Sequence, residues 1–100
     1  MSETVYTINQ LKEKLVPVFV DNSIKKAILF GSYGKGSATK ESDIDLLVDS
    51  GLKGLRFVGL IEDIRAVVDK DVDVFDIAHV EKGSKIDLEI AKTGVLMYEK

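Results

Sequence analysis

The chain has 100 residues, of which 45% are hydrophobic and 31% charged, and its formal net charge is −3. This length and composition predict a single globular domain over residues 1–100. The absence of cysteine excludes thiolate metal sites and disulfides. No run approaches the roughly 20 apolar residues of a membrane span, and no signal peptide is evident, so we expect a cytoplasmic protein. The negative charge argues against direct nucleic-acid binding, which depends on a basic face.

The first predicted element is a helix that begins after Thr7. Thr7 and Gln10 have the spacing of a capping box. The apolar residues that recur on one helical face are Ile8, Leu11, Leu15 and Phe19. Pro17 interrupts this pattern because proline lacks an N–H and clashes with the preceding turn. We therefore expect the helix to kink at Pro17 or to end near Val16.

Four short strands and two more helices are predicted in the rest of the chain. The strands are Lys26–Phe30, Ile44–Val48, Val72–Ala78 and Val95–Tyr98, and the helices run from about Leu52 to Val68 and from Ser84 to Lys92. The segment between the first two strands has room for one or two short helical turns. A full helix between the second and third strands indicates a crossover. The expected class is therefore α/β (α+β), with a small mixed sheet and helices packed against it.

Asp43 and Asp45 are the first candidate site residues. They lie two residues apart at the start of an apolar strand, so both carboxylates should project from one face. Aspartate is disfavoured in strands, and two like charges on one face repel each other unless a cation or a basic partner lies between them. The alternative is a solvated strand end, which acidic residues also occupy.

A third aspartate favours a metal site. Asp73 lies in the middle of the third predicted strand, between β-branched neighbours, where an acid needs a specific reason. Asp71 shares its face but lies at the start of the strand, and it is the fallback. Asp76 faces the other way, and we expect it to be structural or exposed.

A glycine-rich turn, Gly31 to Gly36, follows the first strand and precedes these acids. A Walker A loop would require lysine where Ser37 stands, and a dinucleotide fingerprint from Gly34 would require glycine or alanine where Thr39 stands. The glycines alone are more typical of a tight surface turn. Beside paired carboxylates, however, the N–H groups of such a turn suit a hard cation that carries a phosphate chain.

These residues carry a family resemblance. Gly31-Ser32, ten residues and then Asp43-x-Asp45 match the signature of the DNA polymerase β-like nucleotidyltransferase superfamily. The stretch GSYGKGSATKESDIDLLV resembles in particular its minimal nucleotidyltransferase (MNT) branch. The resemblance extends over nearly the whole chain.

The resemblance assigns the glycine turn to a nucleotide. It implies that Gly31 and Ser32 hold the β- and γ-phosphates of a nucleoside triphosphate, through backbone N–H groups and the Ser32 hydroxyl. Lys35 is a further expected nucleotide-binding residue. Family members often have arginine at this position, and lysine keeps the charge but lacks the planar guanidinium fork.

The resemblance also implies a polymerase β palm-like fold and a role for each acid. Asp43 and Asp45 would bind Mg²⁺, and Asp73 would bind a second Mg²⁺ or act as base on the attacking hydroxyl. The implied reaction transfers a nucleoside monophosphate from ATP or another nucleoside triphosphate, and pyrophosphate leaves.

The acceptor is expected to come from a partner, because a chain of this length has no second domain to hold one. MNT proteins are typically encoded with a HEPN-domain protein, a ribonuclease-type toxin, and some act as antitoxins by transferring AMP to a tyrosine of that toxin. The resemblance therefore implies an antitoxin. One alternative is a catalytically idle module that neutralises its partner by occlusion. Another is transfer to a small molecule such as an aminoglycoside, which would require an oligomer to form the pocket.

Two side chains near these motifs have simpler interpretations. His79, the only histidine, is expected to be a polar loop residue, since a lone histidine has no ligand partners here. Tyr33 could stack on a base or pack beside the turn. The last strand, Val95–Tyr98, belongs to the core or to the edge of a homo-oligomer.

Overall fold

The structure is a computed structural model that describes residues 4–100. These residues form four α-helices, four strands and one short 3₁₀ turn. In chain order they are α1 (Ile8–Asp21), β1 (Lys26–Phe30), α2 (Gly31–Lys35), β2 (Ile44–Asp49), α3 (Leu55–Val67), β3 (Val72–Asp76), the 3₁₀ turn (Ile77–His79), α4 (Lys85–Thr93) and β4 (Val95–Glu99). None of the helices in this range is long and apolar enough to cross a membrane.

The four strands form one mixed sheet in the order β3-β2-β1-β4. β1 runs antiparallel to both β2 and β4, whereas β2 and β3 are parallel and are connected by α3. The mixed sheet and the crossover helix predicted from the sequence are confirmed. As a result, the C-terminal end of β1 and the N-terminal ends of β2 and β3 meet at one end of the sheet. This end carries the glycine turn and the acids.

One face of the sheet, the packed face, is covered by α1 and α3. Because side chains alternate along a strand, Ile44, Leu46 and Val48 of β2 all point to this face, and all three are fully buried. Other members of the core include the buried residues Leu11, Leu15, Phe19, Leu29, Leu60, Ile64 and Val72. Full burial of such side chains stabilises a fold by about 1.5–3 kcal/mol each.

The opposite face, the open face, carries Asp45 on β2 and both Asp73 and Phe75 on β3. Its apolar part is held by a ring contact between Phe30 and Phe75, whose centroids are 5.8 Å apart. α4 covers the β1 side of this face, and its end lies against Ile28. The acidic part of this face stays accessible at the end of the sheet that carries the glycine turn.

Helix α1 continues through Pro17 to Asp21, so of the two expectations an end near Val16 is wrong. Proline removes one hydrogen-bond donor. However, the next two residues, Val18 and Phe19, are buried in the core. Their burial stabilises the last turn of the helix and outweighs the lost bond. Asn22 then caps the helix, donating from its backbone and side-chain amides to the Val18 carbonyl.

Several other boundaries differ from the predictions, two of them by more than one residue. α3 begins at Leu55 rather than Leu52, and β3 ends at Asp76 rather than Ala78. The strand ends because the Asp76 carboxylate accepts a hydrogen bond from the Ala78 N–H and starts the 3₁₀ turn. The same carboxylate accepts bonds from the N–H and the hydroxyl of Ser50, and it is only 5% exposed. Asp76 is therefore structural, one of its two expected states.

Candidate active site

The register of the two parallel strands brings the predicted acids together. Asp45 and Asp73 are direct partners across β2 and β3. Side chains of paired residues project to the same face of a sheet, so these two carboxylates are neighbours on the open face. Asp43 lies two residues before Asp45 at the entrance to β2, which places it on the same side. Asp43 and Asp73 are exposed, and Asp45 is half-buried.

The charges of these acids act on one another. Burial is the largest cause that raises the pKa of Asp45, from 3.8 to about 6. The next causes are the negative charges of neighbouring acids, in the order Asp73, Asp43 and Glu89. Each of these effects disfavours the charged form of Asp45. A divalent cation between the carboxylates would relieve the repulsion.

Asp71, the fallback for the third carboxylate, lies outside this pair. It precedes β3, and its backbone carbonyl accepts a hydrogen bond from the Ile44 N–H. Its carboxylate is not among the charges that raise the pKa of Asp45. The geometry therefore favours Asp73 over Asp71 as the third acid of the site.

The acids of the site suit an Mg²⁺ ion that is bound by one or two carboxylates and whose coordination is completed by a substrate. Within residues 4–100, no three acidic or histidine side chains are gathered closely enough to hold a metal ion by themselves. Mg²⁺ usually keeps several waters and is held by one or two carboxylates together with phosphate oxygens. The oxygen-only donor set of Asp43, Asp45 and Asp73 matches that preference.

Gly31 is required at the start of the glycine turn by its contact with Asp45. Its φ angle is +71°, in the left-handed region that favours glycine. A Cβ atom at this position would collide with Oδ2 of Asp45. The backbone of the turn thus lies directly against the central carboxylate of the site, and a side chain at position 31 would displace that carboxylate.

The remaining residues of the turn lie in the short helix α2. Ser32 is half-buried and directly follows Gly31, whereas Lys35 is exposed at the end of the helix. Gly36 ends α2 in the left-handed conformation, with φ +82°. A helix rises about 1.5 Å per residue, so Lys35 lies about 6 Å along the axis from Gly31. The predicted phosphate-binding residues therefore share one short element beside the acids.

Two residues of α4 also belong to this neighbourhood, and the sequence did not indicate them. Thr93 accepts a hydrogen bond from the Gly31 N–H at 2.9 Å, and the Glu89 charge acts on Asp45. The available signal was their spacing of four residues, which places both on one face of a helix. That spacing cannot show which part of the molecule the face meets.

Two cavities lie beside these elements. One, of about 580 Å³, borders Asp43 and is lined by both basic and acidic residues, among them Arg65 and Asp71. The other, of about 470 Å³, lies at the β3 edge, and His79 in the 3₁₀ turn is among its lining residues. His79 is exposed on this turn, in agreement with the expected polar loop residue. Tyr33 is 3% exposed and packs in the core, so packing is the interpretation that holds.

The fold and the match to a protein family place this chain among the nucleotidyltransferases. The chain belongs to the polymerase beta nucleotidyltransferase family: the family described as "Polymerase beta, Nucleotidyltransferase" matches residues 13–100. The family and enzyme class that the signature predicted are thereby confirmed.

Two known proteins resemble this chain in sequence. Two proteins of Methanocaldococcus jannaschii carry the name "Putative protein adenylyltransferase". One is 38% identical over 69 residues, which cover 67% of this chain and 74% of the relative. The other is 48% identical over 44 residues, which cover 37% of this chain and 44% of the relative.

Solved toxin–antitoxin complexes contain the same fold. A chain in the crystal structure of a toxin–antitoxin with AMP-PNP matches with a TM-score of 0.74 and 24% identity, over 89% of this chain and 73% of the other. A chain in the complex of the tri-AMPylated Shewanella oneidensis HEPN toxin with its MNT antitoxin matches with a TM-score of 0.70 and 20% identity, over 94% of this chain and 74% of the other. The polymerase β-like fold that the resemblance implied is confirmed.

Proposed function

We propose that this protein transfers a nucleoside monophosphate from a nucleoside triphosphate to a hydroxyl group, with Mg²⁺ as its cofactor. One observation carries the proposal: the register of β2 and β3 sets Asp45 beside Asp73, and the backbone of Gly31 lies against Asp45. A phosphate chain at the turn is then within reach of both acids. If the acids only marked a solvated strand end, neither the close approach of the turn to Asp45 nor a glycine at position 31 would be needed.

Each residue has a role in this reaction. Asp43 and Asp45 hold the metal, and Asp73 holds a second ion or takes the proton of the attacking hydroxyl. Ser32, next to Gly31, binds the β- and γ-phosphates. Mg²⁺, when bound, supplies positive charge that stabilises the entering and leaving oxygens. The acceptor oxygen bonds to the α-phosphorus, the bond from that phosphorus to the bridging oxygen breaks, and pyrophosphate leaves with the electron pair.

We further propose that the nucleotide is ATP and that the acceptor is a tyrosine hydroxyl of a HEPN-type toxin. Support comes from the two relatives that carry the name "Putative protein adenylyltransferase", and from complexes of the same fold that contain AMP-PNP or an AMPylated HEPN toxin. Transfer of AMP to the toxin would make this protein an antitoxin. Residues 1–100 would act as a single minimal nucleotidyltransferase domain, in the cytoplasm where such a toxin works.

The test is a labelling experiment with the protein encoded beside this one. Purified protein is incubated with ATP labelled at the α-phosphate and Mg²⁺, with and without that neighbour. We expect label on the neighbour, and we expect Asp45→Asn to reduce transfer by at least about 10²–10³-fold, as for loss of a central electrostatic group.

The matched control is Asp49→Asn. Asp49 lies on the same strand and the same face as Asp45 but four residues further on, away from the glycine turn. It should leave transfer unchanged. If the neighbour stays unlabelled with all four nucleotides, and Asp43→Asn and Asp45→Asn still neutralise it, the occluding module replaces the enzyme as the explanation.

A further inference from the structure

Thr93 joins the last turn of α4 to the glycine turn. Its hydroxyl accepts a hydrogen bond from the Gly31 N–H at 2.9 Å and donates one to the Glu89 carbonyl at 2.8 Å. The hydroxyl therefore both accepts and donates a hydrogen bond. The side chain ties the helix backbone to the first residue of the turn.

The backbone of Thr93 is close to the same turn. A Cβ at Gly34 would collide with the Thr93 carbonyl oxygen, so glycine is needed there for α2 to approach α4. Gly31 and Gly34 thus meet Thr93 at its hydroxyl and its carbonyl respectively. Close approach of this kind leaves little freedom to shift the turn relative to α4.

Gly31 is also constrained by the Asp45 carboxylate, because Oδ2 of Asp45 lies too close to leave room for a Cβ on residue 31. The turn is therefore held between a hydroxyl on α4 and an acid on β2. Rotation of the Gly31 peptide would break the bond to Thr93 and move Ser32 relative to Asp45. The relative position of the phosphate-binding and metal-binding parts depends on this arrangement.

We propose that Thr93 is a positioning residue for nucleotide binding. Its hydroxyl fixes Gly31, and through it Ser32, at the place where a phosphate chain can reach both Ser32 and the acids. One consequence concerns Gly31 itself: because its N–H is bonded to Thr93, backbone donation to the phosphates begins at Ser32. This inference rests on the proposed function.

The test compares Thr93→Val with Thr93→Ser. Valine keeps the shape and removes the hydroxyl, whereas serine keeps the hydroxyl. Loss of one hydrogen bond that orders the site should weaken binding of AMP-PNP with Mg²⁺ by roughly three- to tenfold. The serine variant should bind within about twofold of wild type, and titration calorimetry measures both.

Two further measurements separate positioning from simple destabilisation. Amide hydrogen exchange by NMR should show faster exchange of the Gly31 N–H in Thr93→Val and protection in Thr93→Ser. Ser84→Ala is the matched control: it removes the N-cap of the same helix, where the hydroxyl accepts from the Asp87 N–H, without touching the turn. It should lower the melting temperature and leave nucleotide affinity unchanged.

The outcomes are distinct. If Thr93→Val exposes the Gly31 amide but binds AMP-PNP like wild type, the inference is wrong and the proposed function stands. If Ser84→Ala loses affinity as much as Thr93→Val, the role of Thr93 is only structural and the inference is again wrong. If the wild type binds no nucleotide, the proposed function fails, and the positioning role fails with it.

Discussion

The two faces of the sheet use the same strands in opposite ways. On β2, Leu46 is fully buried against the helices of the packed face, while its neighbour Asp45 lies half-buried among other negative charges on the open face. The first arrangement lowers the free energy of the fold, and the second raises it unless a cation binds. Of two adjacent residues on one strand, Leu46 therefore stabilises the fold and Asp45 serves the proposed chemistry.

The sharpest test of this contrast replaces each of these two neighbours in a separate variant. Leu46→Ala should lower the free energy of unfolding by about 2–5 kcal/mol, because it leaves a cavity in the core. Asp45→Asn should keep or slightly raise the stability of the metal-free protein while it removes transfer. Urea unfolding of both variants measures the difference. Equal loss of stability in the two would contradict the distinction between the faces.

Gly31→Ala tests the contact between the turn and the acid. Alanine at a φ of +71° is strained by about 1–2 kcal/mol, and its Cβ would also displace the Asp45 carboxylate. We expect a lower melting temperature together with a loss of Mg²⁺–AMP-PNP affinity of more than about tenfold.

Gly51→Ala is the control for that variant. Gly51 has a similar φ of +68°, but nothing lies within 4 Å of a Cβ added there. It should reproduce the backbone strain and leave nucleotide affinity intact. Comparable loss of affinity in both variants would show that strain, rather than the contact with Asp45, is responsible.

A pH titration of the metal-free protein tests the charge on the open face. The pKa of Asp45 is raised to about 6 in the folded state, against 3.8 for an unperturbed aspartate. Between these values the folded protein binds more protons than the unfolded chain, so stability should fall as the pH rises from about 4 to about 6. After a discount for solvent screening, the change is about 1 kcal/mol.

Thermal melts across this range in a chelating buffer provide the measurement. Asp45→Asn should remove this part of the pH dependence, whereas Asp49→Asn should preserve it. Added Mg²⁺ with AMP-PNP should reverse the trend above pH 6, because the charged form of Asp45 is then the one that binds. A flat profile in the wild type would show that burial and the neighbouring charges do not raise the pKa of Asp45 in the folded protein.

The smallest effect is expected at Lys35. Lys35→Arg restores the planar fork that can bind a phosphate through two parallel bonds, and it should lower the KM for ATP by about two- to threefold. Lys25→Arg, at the opposite end of β1, is the control and should change nothing. An unchanged KM in Lys35→Arg would argue that this side chain does not contact the nucleotide.

Local patterns in the sequence predicted much of this molecule. Alternation along β2 placed Asp43 and Asp45 on one face, and the helix between β2 and β3 predicted the parallel pair. The alternative of a helix end near Val16 was wrong because burial of the residues after Pro17 outweighs the local preference of proline. The roles of Asp43, Asp45 and Asp73 in metal binding, and of Ser32 and Lys35 in nucleotide binding, stay predictions until they are tested. For Gly31, we expect no donation from its N–H to the phosphates, because that N–H is bonded to Thr93.

Other features could not be predicted because they depend on contacts between distant segments. No periodicity within α4 shows that Thr93 meets Gly31, 62 residues earlier in the chain. The register of β2 against β3 is a similar case. Asp71, just before β3, and Asp73, within it, share a face, and the sequence alone does not determine which of them lies opposite Asp45.

Hydrophobic burial does not fully determine that register either. A slip of two residues would keep every side chain on its own face and would place Asp71, instead of Asp73, opposite Asp45. The bonds from Ser50 to the buried Asp76 carboxylate hold the far ends of the same two strands at one alignment. This pair of polar groups lies about 10 Å from the acids, three residues along β3. By fixing the register of the two strands, it determines which aspartate lies opposite Asp45.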